Sequence, residues 1–235
     1  METWFLVLGW FLSILTMVVN GFVIFLVGNK RQLRTKTNAF IVSLAVADFG
    51  VGMFAAPSRL LCNMLNECIS DKKARLHIMK VWLFFICASG TNLLSLVLER
   101  YIAVVKPLKY LTFMKRRRVI QMVFTSWGIP FFFTTANALF SIRLDSFYSA
   151  VTIVGYLYLL FEVILCVILI FCLASMLLTV YKQNSRDHSL AKQLRFNHRV
   201  VKVQTRNNSV VKWVVLVTCV FLLCYGIFLR CSLLF

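Results

Sequence analysis

Charged residues are scarce in this chain of 235 residues. They account for 14% of it, and only 8 are acidic, against 26 Lys and Arg. Soluble domains carry about 25% charged residues, so this scarcity excludes an ordinary cytosolic domain. Apolar residues make up 60% of the chain and include 22 Phe. This abundance excludes disorder, because such a chain can bury enough apolar surface to offset the entropy of ordering.

Uncharged stretches long enough to cross a bilayer recur along the chain. The first, 3–29, holds no charged residue and exceeds the roughly 20 residues that a membrane-spanning helix needs. It is not framed by the basic stretch and cleavage site of a signal peptide, so we interpret it as a retained helix. The sequence predicts an all-α integral membrane protein, one transmembrane bundle domain over 1–235, whose six spans are about 3–29, 39–61, 76–101, 119–142, 150–181 and 213–234.

Basic residues are concentrated on one side of these spans. Nineteen of the 26 Lys and Arg lie in or beside the connections 30–38, 102–118 and 182–212. Short basic loops remain cytoplasmic, so these are predicted cytoplasmic loops and the N-terminus is predicted to be extracellular. The net charge of +18 therefore mainly indicates how the spans are oriented in the membrane. Nucleic acid is not an expected partner, because a nucleic-acid binder needs a soluble body to carry its basic patch.

Short motifs occur in several of the predicted spans. Leu-Ala-Val-Ala-Asp ends at Asp48 in the second span, and Glu-Arg-Tyr at 99–101 precedes Pro107 at the end of the third. In order and spacing these motifs resemble the rhodopsin-like (class A) G-protein-coupled receptors. The same resemblance includes Asn20-Gly21, Trp127 with Pro130, and Phe221-Leu222-Leu223-Cys224. It covers essentially the whole chain but only six of the family's seven helices, so we expect a rhodopsin-like bundle truncated after the sixth.

The resemblance implies a plasma-membrane receptor without enzymatic activity. Such a receptor binds an extracellular ligand and signals to a heterotrimeric G protein by helix rearrangement. The resemblance implies no cofactor apart from a sodium ion as an allosteric ligand. Membrane lipid and a second receptor are further expected partners. One alternative is a truncated, non-signalling variant that heterodimerises or is retained in the cell. An alternative of another class is a multi-pass transporter or enzyme, although the spans lack a catalytic type of His cluster or paired acids and show no inverted repeat.

Glu99, Arg100 and Tyr101 match the family's G-protein switch. In that family the acid holds the arginine until the sixth helix moves outward. Adjacent helical residues do not face each other squarely, so we expect an imperfect local pair between Glu99 and Arg100. The alternative is that Arg100 is a snorkelling anchor at the membrane boundary.

Asp48 is an ionisable residue inside a membrane span, which is costly unless it finds polar partners. Asn20 and Ser89 are its expected neighbours. In the family such an acid and a serine on the third helix hold a sodium ion, and Asp48 and Ser89 match those positions. The alternative is a hydrogen-bonded packing aspartate without an ion, and no other metal site is predicted.

Three further sets of residues are candidates. Phe221 and Tyr225 match the family's aromatic toggle, with Tyr225 in place of its usual tryptophan; simple core packing is the alternative. Cys62 and Cys68 lie in an extracellular connection, an oxidising setting, and could form a local disulfide. A polar ligand cavity near the outer leaflet, suited to a zwitterion or a peptide terminus, is predicted from Arg59, Trp82, Asn137, Glu162 and Arg230. Its alternative is that Arg59 and Arg230 snorkel to lipid headgroups and that Glu162 pairs with one of them.

Overall fold

The computed structural model describes the backbone of residues 2–64, 72–142 and 147–193, and the side chains of 7–54, 80–110, 112–140, 152–153 and 155–182. The described part is helical and contains no strand. Its six α-helices are α1 (Glu2–Asn29), α2 (Lys36–Met64), α3 (Lys72–Val105), α4 (Pro107–Phe113), α5 (Arg116–Ile142) and α6 (Phe147–Gln193). A short 3-10 turn, Arg31–Leu33, separates α1 from α2.

Five of these helices are long and apolar enough to cross a membrane. The spans are Val7–Asn29, Lys36–Phe54, Lys80–Val105, Arg116–Phe140 and Gly155–Lys182. The predicted sixth span, 213–234, lies outside the described residues. Large apolar side chains on these helices are exposed, among them Phe124 and Phe132 at 74% and 77%. Exposed apolar surface of this extent is a liability in water, whereas lipid tails cover it without cost.

Helix ends differ from the predicted loop boundaries. α3 continues to Val105, and α4 forms within the predicted loop 102–118. Pro107 causes the break, because a proline disfavours the helical conformation of the residue before it, and Lys106 has φ −132° and ψ 62°. Pro107 then occupies the first turn of α4, where its missing N–H costs nothing. α6 extends to Gln193, into the predicted loop 182–212.

The chain forms two compact units. The first comprises Met1–Leu96 with Arg116–Glu162, and the second comprises Val97–Lys115 with the chain from Val163 onward. In the first unit, α1 packs on α2 at Gly52, where an added Cβ would lie 3.0 Å from the Cγ of Met17. The start of α2, the last third of α3 and the start of α5 meet in a buried cluster of Phe40, Leu96 and Val119. In the second unit, the buried residues of α6 follow the spacing of one helical face: Leu169, Cys172, Leu173 and Met176.

Candidate functional site

The end of α3 and the helix α4 build a compact polar cluster in the second unit. Glu99 is buried, with 1% of its surface exposed. One carboxylate oxygen, Oε2, lies 3.0 Å from Nε of Arg100. The other, Oε1, accepts a 2.7 Å hydrogen bond from the hydroxyl of Tyr110. A buried carboxylate therefore holds a half-buried arginine and a tyrosine at once.

Tyr110 is a member of this cluster that the sequence analysis did not identify. It lies on α4, beyond the break at Lys106 and Pro107. That break turns the chain, so that a tyrosine one turn into α4 reaches back to the last turns of α3. The signal in the sequence is the tyrosine three residues after Pro107, because proline marks the start of a new helix.

In the first unit, Asp48 of α2 is joined to Ser89 of α3. The Ser89 hydroxyl donates a hydrogen bond to Oδ1 of Asp48. Asn20 does not take part through its amide group, which donates to the carbonyl of Thr16 at 2.9 Å. The structure thus brings together two of the three residues expected in the polar core, Asp48 and Ser89. The amide of the third residue, Asn20, forms a hydrogen bond within its own helix.

Asp48 and Ser89 supply oxygen donors, the type that hard cations prefer. A carboxylate and a hydroxyl side by side in the bundle fit a sodium ion as two of its ligands. The described residues contain no group of three or more His, Cys, Asp or Glu that could hold a metal ion. A sodium ion would therefore rely on these two side chains together with other oxygen donors.

A second polar network links α2, α3 and α5. Ser43 donates to Oδ1 of Asn92 at 2.6 Å and accepts from Nε1 of Trp127 at 2.9 Å. Nearby, Thr91 donates to the carbonyl of Ser126 at 2.6 Å. Each partner lies on a different helix, so these bonds fix the relative positions of three spans in a medium without competing water.

Glu162 is the buried acid of α6 in the first unit. It is 2% exposed, and the Cys87 thiol of α3 lies beside its carboxyl group. A thiol is a weak donor, and neither carboxylate oxygen has a hydrogen bond of standard geometry within the described structure. Cys87 also packs with Tyr158, whose hydroxyl donates to Thr134 at 3.1 Å. An intramembrane acid whose neighbouring donor is only a thiol is a candidate functional residue.

Two other residues proposed for the ligand cavity lie on α3 and α5. Trp82 is half-buried on α3. Asn137 is buried, and its amide donates to the carbonyl of Phe133 one turn earlier. Several predicted residues lie outside the described side chains: Arg59, Arg230, Phe221, Tyr225, Cys62 and Cys68.

Membrane-spanning helices, an acid–arginine pair at the end of α3 and an aspartate within α2 together define a helical membrane receptor of the rhodopsin type. The family model of the 7 transmembrane receptor (rhodopsin family) matches residues 19–235. The chain belongs to this family, and it is a multi-pass membrane protein. The family membership and the all-helical fold predicted from the sequence are confirmed.

Curated relatives of the chain are also receptors. Cholecystokinin receptor type A of Canis lupus familiaris is 29% identical over 132 residues, which is 54% of this chain and 30% of the relative. A probable G-protein coupled receptor, No9, of Amphibalanus amphitrite is 33% identical over 52% of this chain and 25% of its own length. The gastrin/cholecystokinin type B receptor of Rattus norvegicus is 34% identical over 46% and 24%. The chain thus matches less than a third of the length of each.

Proposed function

We propose that this protein is a plasma-membrane receptor that binds an extracellular ligand and signals to a heterotrimeric G protein, with its N-terminus outside the cell. The observation that carries the proposal is the pairing of buried Glu99 with Arg100 at the end of α3. A salt bridge between a buried acid and a partly exposed arginine can hold the arginine in one state and release it in another. Ligand binding would act by shifting an equilibrium between such states.

Arg100 is the proposed contact with the G protein. Only 20% of its side-chain surface is exposed while it is paired with Glu99. A receptor that exchanges this pair for a contact with the G protein can couple helix movement to nucleotide exchange. Tyr101, half-buried beside it, is the remaining residue of the proposed switch.

The proposal can be tested by reconstituting the protein in nanodiscs with purified G-protein heterotrimers and measuring GTP binding. We expect the protein to accelerate nucleotide exchange on at least one class of heterotrimer, and Arg100→Ala to return the rate to the spontaneous value. Arg31→Ala is the matched control, because Arg31 is an exposed arginine in the α1–α2 connection. Exchange by the Arg100→Ala protein at the original rate would refute the role of Arg100.

The ligand is proposed to contact Glu162. Its carboxyl is buried and lacks a hydrogen-bond partner of standard geometry in the described residues, and a buried charge is costly unless it is paired. A cationic group, such as the ammonium of a zwitterion or of a peptide terminus, would supply that pair. Trp82, Asn137, Arg59 and Arg230 remain the other proposed contacts.

Cholecystokinin and gastrin, named in two of the relatives, are the first ligands to test. We expect one of them to stimulate exchange, and Glu162→Gln, which preserves the shape of the side chain, to lower its potency at least about tenfold, as loss of a charged hydrogen bond would. Tyr156→Phe is the control, because Tyr156 is exposed on the same helix. Equal potency on the wild-type and Glu162→Gln proteins would exclude Glu162 from the ligand contact.

A sodium ion is proposed as an allosteric ligand. Asp48 and Ser89 would hold it through their carboxylate and hydroxyl oxygens. Such an ion would stabilise whichever arrangement of the helices keeps these two side chains together.

A further inference from the structure

A thiol and a carboxyl group lie side by side between α3 and α6. Cys87 of α3 and Glu162 of α6 are 1% and 2% exposed, and the thiol lies beside the carboxyl group. Neither carboxylate oxygen of Glu162 has a hydrogen bond of standard geometry within the described structure. The two helices therefore hold one sulfur donor and two oxygen donors together in a buried position.

The spans that surround this pair supply few cations. Glu162 is the only charged residue over 155–181 in α6, and 119–140 in α5 holds no charged residue. On α3, Lys80 precedes Cys87 by seven residues, or about 10.5 Å along the helix axis. A buried carboxylate is costly unless it is paired. The surroundings of Glu162 therefore favour an added cation as its partner.

The chemistry of the two donors favours zinc as that cation. A thiolate and a carboxylate carry one negative charge each, so a divalent ion between them forms an assembly without net charge, which lowers the cost of burial. Thiolate ligands favour zinc, whereas magnesium and calcium prefer oxygen ligands. Sulfur at about 2.3 Å and oxygen at about 2.1 Å from a tetrahedral zinc lie about 3.6 Å apart, within the distance of side chains in contact.

We propose that Cys87 and Glu162 bind a zinc ion that joins α3 to α6. Binding releases the thiol proton to water, and the carboxyl proton where one is present, because the ligands are thiolate and carboxylate. Tyr158 packs against Cys87, but its hydroxyl is bonded to Thr134, so it is not assigned as a ligand. Two positions of a tetrahedral zinc are then left for water or for a group of a bound ligand.

In the proposed topology, extracellular zinc enters from the nearer face of the membrane. Glu162 follows Gly155, where the span begins, by seven residues, or about 10.5 Å along the helix axis. That is about a third of the way across a hydrocarbon core of about 30 Å. Zinc would compete with the receptor's ligand, since Glu162 is the acid proposed to bind both. The competition rests on the proposed function, whereas zinc binding does not.

The test measures zinc binding to the purified full chain in nanodiscs, without ligand or G protein, by competition with a fluorescent zinc chelator. Cobalt(II) in place of zinc is expected to show a thiolate-to-metal charge-transfer absorption. We expect Cys87→Ser and Glu162→Gln each to weaken the strongest zinc site at least about tenfold, since loss of even an outer-shell partner costs about 10–100-fold. Cys172→Ser is the matched control and is expected to leave the affinity unchanged, because Cys172 is another buried thiol, on α6.

Several outcomes would overturn the proposal. Unchanged zinc affinity in the Cys87→Ser protein, or a cobalt complex without the charge-transfer absorption, would exclude the thiol as a ligand. An equal loss in the Cys172→Ser protein would show that zinc binds thiols without selection. Displacement of zinc by magnesium at equal concentration would indicate a site of oxygen donors alone.

Thermal unfolding of each variant without zinc verifies its fold, and Cys87→Ser, which nearly preserves the shape of the side chain, decides the question if Glu162→Gln unfolds. Nucleotide exchange on a G protein by a receptor that binds no zinc would refute the zinc site alone. Zinc binding without any nucleotide exchange would support the zinc site and count against the proposed function.

Discussion

The hydroxyl of Tyr110 donates a 2.7 Å hydrogen bond to the carboxylate of Glu99. The same carboxylate lies 3.0 Å from Nε of Arg100, so Tyr110 supports the acid that holds the arginine. A helix of seven residues that begins at Pro107 thereby acts on the residue proposed to contact the G protein.

Tyr110→Phe is expected to raise basal nucleotide exchange. The substitution removes one donor to a buried carboxylate, a bond worth about 1.5–3 kcal/mol when an acceptor is charged, and loosens the hold of Glu99 on Arg100. The measurement is GTP binding without ligand in nanodiscs, and the control hydroxyl deletion is Tyr156→Phe, at an exposed position of α6. An unchanged basal rate in the Tyr110→Phe protein would mean that this hydrogen bond does not restrain Arg100.

Sodium binding at Asp48 and Ser89 is expected to appear as thermal stabilisation. A ligand that binds only the folded state raises the free energy of unfolding with its concentration, so the melting temperature should be higher in sodium chloride than in choline chloride of equal ionic strength. Asp48→Asn should abolish that difference. Asn20→Ala should preserve it, because the Asn20 amide bonds to Thr16. The same melting temperature in both salts would favour the packing aspartate without an ion.

Gly50→Ala is expected to destabilise the packing of α2 against α3. An added Cβ at this position would lie 2.2 Å from the ring of Phe85, which stacks on Phe54 with ring centroids 5.3 Å apart. Overpacking of this kind costs about 1–3 kcal/mol, and thermal unfolding in nanodiscs measures it. Gly128→Ala is the matched control, because a Cβ there meets nothing within 4 Å. A melting temperature equal to that of the control would show that the Phe85 ring moves aside freely.

The bond between Ser43 and Trp127 is expected to couple α2 to α5. A double-mutant cycle with Ser43→Ala and Trp127→Phe should give an interaction free energy of about 0.6–1.7 kcal/mol, the range found for hydrogen bonds between membrane helices. Thr125→Ala paired with Trp127→Phe is the control cycle, because Thr125 is exposed and bonds within its own helix, to the Met122 carbonyl. Additive effects in the Ser43 cycle would show that the bond does not contribute to stability.

Much of the architecture could be predicted because it depends on local properties of the chain. An uncharged run such as 3–29 must cross the bilayer or be covered by other parts of a protein. An acid inside a span is costly, so Asp48 could be identified as a special residue without knowledge of the fold. The pairing of neighbours such as Glu99 and Arg100 follows from their adjacency and their charges. The motifs that resemble the receptor family could be recognised for the same reason, since each is a short segment.

The choice of partners could not be predicted in the same way. The amide of Asn20 had two possible hydrogen-bond acceptors, the Asp48 carboxylate and a carbonyl one turn earlier. In the structure it donates to the carbonyl. Trp127 and Ser43 are 84 residues apart in the chain, and no local pattern specifies that a tryptophan donor meets that hydroxyl. Tyr110 became part of the Glu99 cluster only through the turn at Lys106 and Pro107.

The sequence by itself determined the family and the membrane-embedded helices, because hydropathy and short motifs are properties of individual segments. Only the tertiary structure decided that Glu99 holds both Arg100 and Tyr110, and that Ser89 rather than Asn20 bonds to Asp48. It also decided that α2 and α5 pack together near the ends at which both helices begin. Those relationships depend on which helix faces which, and at what depth. In a membrane that arrangement is determined by packing and by polar groups that must find partners without water.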